Sequence, residues 1–278
     1  MRIDAAIKHG TEVLSEISSS ARLDTEILLA HSLGKQRNYL YTWPEKSLSF
    51  QETSSFNAVL LKRSGDYPIA YIIGYQEFWS LKLKVTPDVL IPRADTELLV
   101  ETALEKIFDI KRPKILELGT GSGAIALALA TERPDSEITA TDFSGAAIKV
   151  AEENCQIHQI ENIQFLNSNW FSNIPAEKYD LIVSNPPYIA ATDTHLQESI
   201  RYEPLGALVS EDNGLQDLMD ITNDSPNYLH AEGWLILEHG YDQGEAVINL
   251  LKKAAYRQIS CLKDLSGNDR INIALKPN

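Results

Sequence analysis

The sequence predicts an α/β fold: a mostly parallel seven-stranded sheet with helices on both faces, preceded by a small helical domain and a β-hairpin linker. Three observations carry this. Short apolar strands alternate with helical patterns from Lys114 onward. A glycine-rich turn joins the first of those strands to its helix. No strand-like alternation occurs before about residue 75.

The first part of the chain reads as helical. Ile3, Ala6, Ile7, Val13, Leu14 and Ile17 recur at spacings of three and four, with polar residues between them. Leu23, Ile27, Leu28 and Ala30 repeat the pattern, and Gly34 is the expected stop. A further helix over 49–63 carries Phe56, Val59, Leu60 and Leu61. Residues 1–74 are therefore assigned to a helical domain. Leu81, Leu83 and Val85 then alternate with charged residues, as in a half-exposed strand, and Pro87 and Pro92 hold the following chain extended. Residues 75–92 are read as a hairpin linker. Asp95 or Thr96 is expected to cap a helix running to about residue 109, with Glu97 in its first turn.

Residues 93–278 form the third part. Strands are expected over 114–118, 137–141, 163–167, 180–184 and 234–238, with helices over 124–132 and 145–156. Segments 258–264 and 270–275 flank Ser-Gly-Asn-Asp and read as an antiparallel pair closing the sheet edge.

Composition narrows the function classes. The 278 residues suggest two domains at roughly 150 each. A hydrophobic share of 44% supports a sizeable core. Lys and Arg total 25 against 39 Asp and Glu, a formal charge of −14 that opposes long-range attraction to a phosphate backbone. The two cysteines, Cys155 and Cys261, are far apart with no CxxC spacing, so neither a disulfide framework nor a metal site is expected. Met1-Arg2-Ile3-Asp4, soon followed by Lys8, His9 and Glu12, does not read as a signal peptide. The most apolar run, residues 124–130, is far shorter than the roughly 20 residues that span a bilayer. A cytoplasmic protein without a membrane partner is expected, working as a monomer.

Chemistry concentrates in two loops. Ile115-Leu116-Glu117-Leu118 runs into Gly119-Thr120-Gly121-Ser122-Gly123 and then a helix, the context in which glycines let a ligand approach the main chain. About 20 residues on, Asp142 ends the second strand, where a carboxylate accepts from both hydroxyls of a ribose or caps the next helix. These features serve either NAD or S-adenosylmethionine. The fourth strand separates the two, because it ends in Asn185-Pro186-Pro187-Tyr188. The prolines stiffen the loop and leave carbonyls free to accept from a substrate NH2; Asn185 adds an acceptor, and Tyr188 a flat face for a planar group. An amide or aromatic amine nitrogen is a poor nucleophile, so gripping its hydrogens to aim it at a sulfonium methyl is catalysis by positioning. Hydride transfer gives no reason for such a loop.

The glycine loop together with Asn185-Pro186-Pro187-Tyr188 resembles class I, Rossmann-like methyltransferases acting on amide or amino nitrogen. Residues 68–74, Leu90-Ile91-Pro92-Arg93-Ala94-Asp95-Thr96-Glu97, Glu203-Pro204, Glu238-His239-Gly240 and residues 263–270 narrow the resemblance to the HemK/PrmC family, the peptide chain release factor N5-glutamine methyltransferases. It runs along nearly the whole chain; Ala94 stands where the family often has proline. The resemblance implies S-adenosylmethionine as cofactor, with Gly119, Thr120, Gly121, Ser122 and Gly123 at its methionine part, Asp142 at its ribose and Trp170 beside its adenine. Asn185, which also adjoins the cofactor, and Pro186, Pro187 and Tyr188 would hold the glutamine of the release factor's Gly-Gly-Gln loop. The helical domain would help dock that protein substrate, with no direct nucleic acid. The resemblance gives Arg93, Glu97, Glu203, Glu238, His239 and Arg270 no chemical role; His239 is read as a structural hydrogen-bonding group. The alternatives are an adenine-N6 DNA or RNA methyltransferase with the same pocket, which must also extrude a base, and a non-enzymatic cofactor-binding scaffold.

Overall fold

The computed structural model describes residues 1–197 and 199–278. Two compact units result. One comprises Met1–Tyr75 with His195–Tyr202; the other comprises Gln76–Thr194 with Glu203–Asn278.

The first unit is helical: α1 (Ile3–Leu14), α2 (Ala21–Ser32), α3 (Arg37–Thr42), α4 (Phe50–Ser64) and α5 (Ile69–Ile73). Ile3, Leu14, Leu28, Leu29, Phe56 and Leu60 form its core. Ser49 starts α4 through a capping box, accepting from the Glu52 amide while the Glu52 carboxylate accepts from its own. Four apolar residues of the expected helical pattern lie outside the core: Val13, Leu23 and Leu61 are on the exposed sides of α1, α2 and α4, and Ile17 lies beyond the end of α1. Buried Glu26 gathers Arg22, Arg37 and Tyr41.

The hairpin β1 (Tyr75–Phe78) and β2 (Leu81–Lys84) follows, all of it but Tyr75 in the second unit. Trp79 and Ser80 take φ of 50° and 60°, a turn whose twist matches that of the strands. The hairpin joins this unit's core through Phe78 and Leu83. Fully buried Asn154 clamps it, accepting from the Lys84 amide at 2.6 Å and donating to the Lys84 and Ser122 carbonyls. Glu97 accepts from the Trp79 amide at 2.8 Å.

The remaining elements are α6 (Glu97–Lys106), β3 (Lys114–Leu118), α7 (Ala124–Glu132), β4 (Glu137–Asp142), α8 (Gly145–Ile157), β5 (Ile163–Asn167), β6 (Tyr179–Ser184), β7 (Ile189–Ala190), β8 (Val209–Ser210), the short turn α9 (Glu211–Gly214), α10 (Gln216–Asp224), β9 (Leu229–Glu238), α11 (Gly244–Lys253), β10 (Arg257–Lys263) and β11 (Asp269–Leu275). The seven-stranded sheet runs β10-β11-β9-β6-β3-β4-β5. Its pairings are parallel from β9 to β5; β11 is antiparallel to both β9 and β10. Strand order reverses between β3 and β6, the point where such sheets bind ligands. Ile115, Leu181, Val183 and Ile236 pack on one face, and Leu116, Ile182, Leu235 and Leu237 on the other. The first face is filled by α7, whose residues from Ala124 to Ala130 are all buried. Each Leu or Ile buried in this way contributes about 1.5–3 kcal/mol.

One sequence expectation needs correcting. The helix α6 has no side-chain cap; a 3-10 turn, Ala94–Thr96, leads into it, and it ends at Lys106. Thr96 is buried, and its hydroxyl is engaged by the site described next.

Candidate active site

The two loops read from the sequence leave neighbouring strands. Leu118 at the end of β3 is in register with Ser184 at the end of β6, and the Ser184 hydroxyl donates to the Leu118 carbonyl at 2.7 Å. The glycine loop and the Asn-Pro-Pro-Tyr loop therefore start side by side.

The glycine loop folds back over β4. The Gly119 and Thr120 amides both donate to the Thr141 carbonyl, and the Gly121 amide donates to Asp142 Oδ2 at 2.9 Å. Gly123 sits at φ +84° as the N-cap of α7, where an added Cβ would come within 2.5 Å of Leu127. Asp142 Oδ1 accepts from the Ser144 amide at 2.9 Å. Burial raises the Asp142 pKa against these two bonds, which lower it. The cap of α8 is Ser144, not Asp142.

Gly119, Gly121, Asp142, Trp170, Asn185 and Pro187 line one cavity of about 430 Å³, together with Phe143, Asp217 and the segments 88–90 and 204–209. The Trp170 indole forms a wall beside Gly119, and its Nε1 donates to Asp217 Oδ1 at 3.0 Å. Thr120 and Ser122 line a smaller recess of about 50 Å³ with Gly119, Gly121, Thr96 and Asn185. Pro186 and Tyr188 line neither space; Gly123 serves the helix start.

The Asn-Pro-Pro-Tyr loop is tightly held. Asn185 Nδ2 donates to Thr96 Oγ1 at 3.2 Å. Gln243 Nε2 donates to the Tyr188 carbonyl at 3.0 Å and to the Gly214 carbonyl at 3.3 Å. Among the described residues no donor of the chain reaches the Pro186 or Pro187 carbonyl. The Tyr188 hydroxyl donates to Glu238 Oε1 at 3.3 Å, and burial pushes its pKa up.

Two buried acids lie on the face of the sheet packed by α7. Burial pushes Glu117 up to about 7; Thr120 donates to its Oε2 at 2.6 Å, while Oε1 has no partner among the described residues. Burial likewise pushes Glu238 up to about 7.

The residues without a sequence-derived role have these places. Arg93 pairs with Glu203, which also accepts from the Ile91 amide and so holds the segment flanking the cavity. Arg270 pairs with Asp264 at 3.0 Å and lies 3.6 Å from Asp95. His239 is fully buried, its Nδ1 against the Gly240 carbonyl at 2.8 Å, outside the cavity lining. Sequence reasoning missed Phe143, Asp217 and the part played by Thr96. Phe143 follows Asp142 directly and was findable by position. Asp217 lies 47 residues from Trp170 and carries no local signal.

Comparison with known proteins gives consistent matches. The PrmC N-terminal domain family matches residues 5–74, and the Methyltransferase small domain family matches residues 93–202. A protein of Aliivibrio fischeri named release factor glutamine methyltransferase is 45% identical, over 98% of this chain and 97% of that one. Its namesake in Vibrio cholerae is 47% identical, over 98% and 96%. Among solved structures, a methyltransferase from Pyrococcus furiosus superposes with a TM-score of 0.53 at 17% identity, covering 81% of this chain and all of that one, a likeness of fold.

Proposed function

The chain belongs to the release factor glutamine methyltransferases, and from that premise we propose that it transfers a methyl group from S-adenosylmethionine to the side-chain amide nitrogen, N5, of the glutamine in the Gly-Gly-Gln motif of class I release factors. The observation that carries this reading is the side-by-side placement of the glycine loop and Asn185 at the ends of paired β3 and β6.

The cavity suits the cofactor on the chain's own features. A side chain at Gly121 would meet nothing within 4 Å, so a ligand reaches the backbone there, and Gly119 leaves the Trp170 face clear. Each Asp142 oxygen accepts one backbone bond and keeps lone pairs for ribose hydroxyls. Trp170 and Phe143 offer flat surfaces to an adenine. When bound, the cofactor supplies a methyl group made electrophilic by a positively charged sulfur. The chain's part is to hold and aim the acceptor. Asn185 Oδ1 and the Pro186 carbonyl accept from the substrate's amide hydrogens, and the Tyr188 ring faces the amide plane. The proton leaves after transfer, so no strong base is required.

The helical unit docks the protein substrate in this reading. One chain carries both loops, so the working form is a monomer. No helix among the described residues is long and apolar enough to cross a membrane. A substrate that works in translation places the enzyme in the cytoplasm.

The test is mass spectrometry of an unmethylated release factor after incubation with the protein and S-adenosylmethionine, beside an adenine-containing DNA. One methyl group on the Gly-Gly-Gln glutamine is the expected result; methyl on adenine alone would replace the substrate assignment. Asp142→Ala is expected to weaken cofactor binding about 100-fold, since charged hydrogen bonds contribute about 1.5–3 kcal/mol each. Calorimetric titration with the cofactor checks this, and unchanged affinity would remove Asp142 from the site.

A further inference from the structure

Trp170 stands where a large ring is awkward to place. Its backbone has φ +45°, in a turn after β5 fixed by Ser168. The Ser168 hydroxyl donates to the Trp170 carbonyl at 2.8 Å and accepts from the Asn173 amide at 3.0 Å. The ring borders the cavity of about 430 Å³. Its six-membered edge faces Gly119, where the first carbon of a side chain would stand 3.5 Å from it. At the other end of the ring, Nε1 donates to Asp217 Oδ1 at 3.0 Å, and among the described residues Asp217 is the one acceptor the indole reaches. We propose that Asp217 is a positioning residue for the methyl donor: it holds the Trp170 ring along the cavity wall and so keeps the cavity open before the cofactor arrives. This rests on the reading of that cavity as the cofactor's.

An indole is large, flat and apolar except for one N–H. Beside unfilled space such a ring gains dispersion contacts by leaning into it. Gly119 has no side chain to stop that movement. The bond at the far end of the ring does stop it. Swinging the indole into the cavity carries its N–H away from the carboxylate, and a charge-assisted hydrogen bond is lost. The ring is thus pinned at its polar end while its face stays open to a ligand. A wall already in place needs no ordering when the ligand arrives, which is how preorganisation raises affinity.

Asp217 is a sound anchor because it is itself fixed. It lies in the first turn of α10, whose Leu218 and Ile221 are fully buried. Its amide donates to Ser210 Oγ at 3.0 Å. Ser210 belongs to β8 and is in register with Ala190 of β7, the strand that follows the Asn-Pro-Pro-Tyr loop. Just before α10, the Gly214 carbonyl accepts from Gln243 Nε2, which also donates to the Tyr188 carbonyl. The segment that grips Trp170 is therefore fastened to the core on one side and to the Asn-Pro-Pro-Tyr loop on the other. The wall beside the cofactor and the loop after β6 share one support.

The test pairs the NMR signal of the Trp170 indole N–H in the ligand-free protein with cofactor affinity from calorimetry. Its loss in Trp170→Phe identifies the signal. In the wild type it should be sharp and shifted downfield by the carboxylate. Asp217→Ala should move it upfield, broaden it, and weaken S-adenosylmethionine binding about tenfold or more. Asp217→Asn keeps an oxygen for the indole, so it should hold the signal and bind within about threefold of wild type. The cofactor KM should rise in Asp217→Ala by the same factor as the Kd, with kcat at saturating cofactor within about threefold. In a Trp170→Phe background, Asp217→Ala should add nothing, because its effect runs through the ring. A wild-type indole without the downfield shift, an Asp217→Ala protein that binds cofactor as the wild type does, or a further tenfold loss in the Trp170→Phe background overturns the proposal. A wild-type protein that binds no S-adenosylmethionine would instead sink the functional reading, while the indole signal still decides whether Asp217 holds the ring.

Discussion

Asn185→Ala is expected to lower kcat for glutamine methylation by about 10²–10³, the loss typical of removing one preorganised hydrogen-bonding group at a reacting centre. Asn185 stands where β6 ends, held by Thr96 on one side and adjoining the cavity on the other. In the proposed reading its carboxamide oxygen is one of two acceptors for a substrate NH2, the other being the Pro186 carbonyl. Losing it leaves the nitrogen gripped by one hydrogen, free to swing out of line with the methyl. Substrate still docks through surfaces remote from the loop, so KM for the release factor should move little. Cofactor affinity should change modestly, because Gly119, Gly121, Asp142 and Trp170 remain. Steady-state kinetics with varied release factor checks this: a raised KM with unchanged kcat would make Asn185 a binding residue only.

Gly214→Ala is expected to be the most damaging single methyl group added near the site. Gly214 has φ +86°, and a Cβ there would stand 2.2 Å from the Tyr188 carbonyl oxygen and 2.9 Å from Gln243 Nε2. Left-handed backbone costs a non-glycine residue about 1–2 kcal/mol, and a forced core clash about 1–3 kcal/mol. The nearest atom is main chain, so relief comes only by moving the Asn-Pro-Pro-Tyr loop or breaking the Gln243 bonds to Tyr188 and Gly214. Together these predict a melting temperature lower by roughly 5–10 °C. Methylation should fall by about 10²-fold in protein that remains folded, since a displacement near 1 Å at a reacting centre has that effect. The glycine loop and Asp142 are not touched, so cofactor affinity should survive. A variant that melts early yet methylates normally would show that the loop tolerates the shift.

The alternation of strands and helices was legible because β3, β4 and β6 are buried on both faces and read as short apolar runs between turn residues. The start of β9 was not. It begins at Leu229, five residues before the expected Trp234, because His230, Ala231, Glu232 and Gly233 interrupt the apolar run, and Glu232 takes φ +59°. Both loops of the site were legible as motifs, since their chemistry is local. The frame that holds them was not. Thr96 looks like a helix cap when only its neighbours are seen; its partner Asn185 is 89 residues away. Asp212-Asn213-Gly214 is a plain turn signal, with all three residues at positive φ, yet nothing in its spacing tells that it props the acceptor loop.

The register of β3 against β6 has a mechanical consequence. The glycine loop and the Asn-Pro-Pro-Tyr loop are extensions of one backbone ladder at the centre of the sheet, flanked by β4 and β9. Local fraying starts at edges and loop tips, where opening takes little free energy. Separating the two loops at their roots means rupturing the innermost ladder, which is nearly the same event as global unfolding. On the proposed reading, the gap across which the methyl passes is therefore as durable as the fold itself, and heat should abolish both together, with no warm, folded and misaligned enzyme in between.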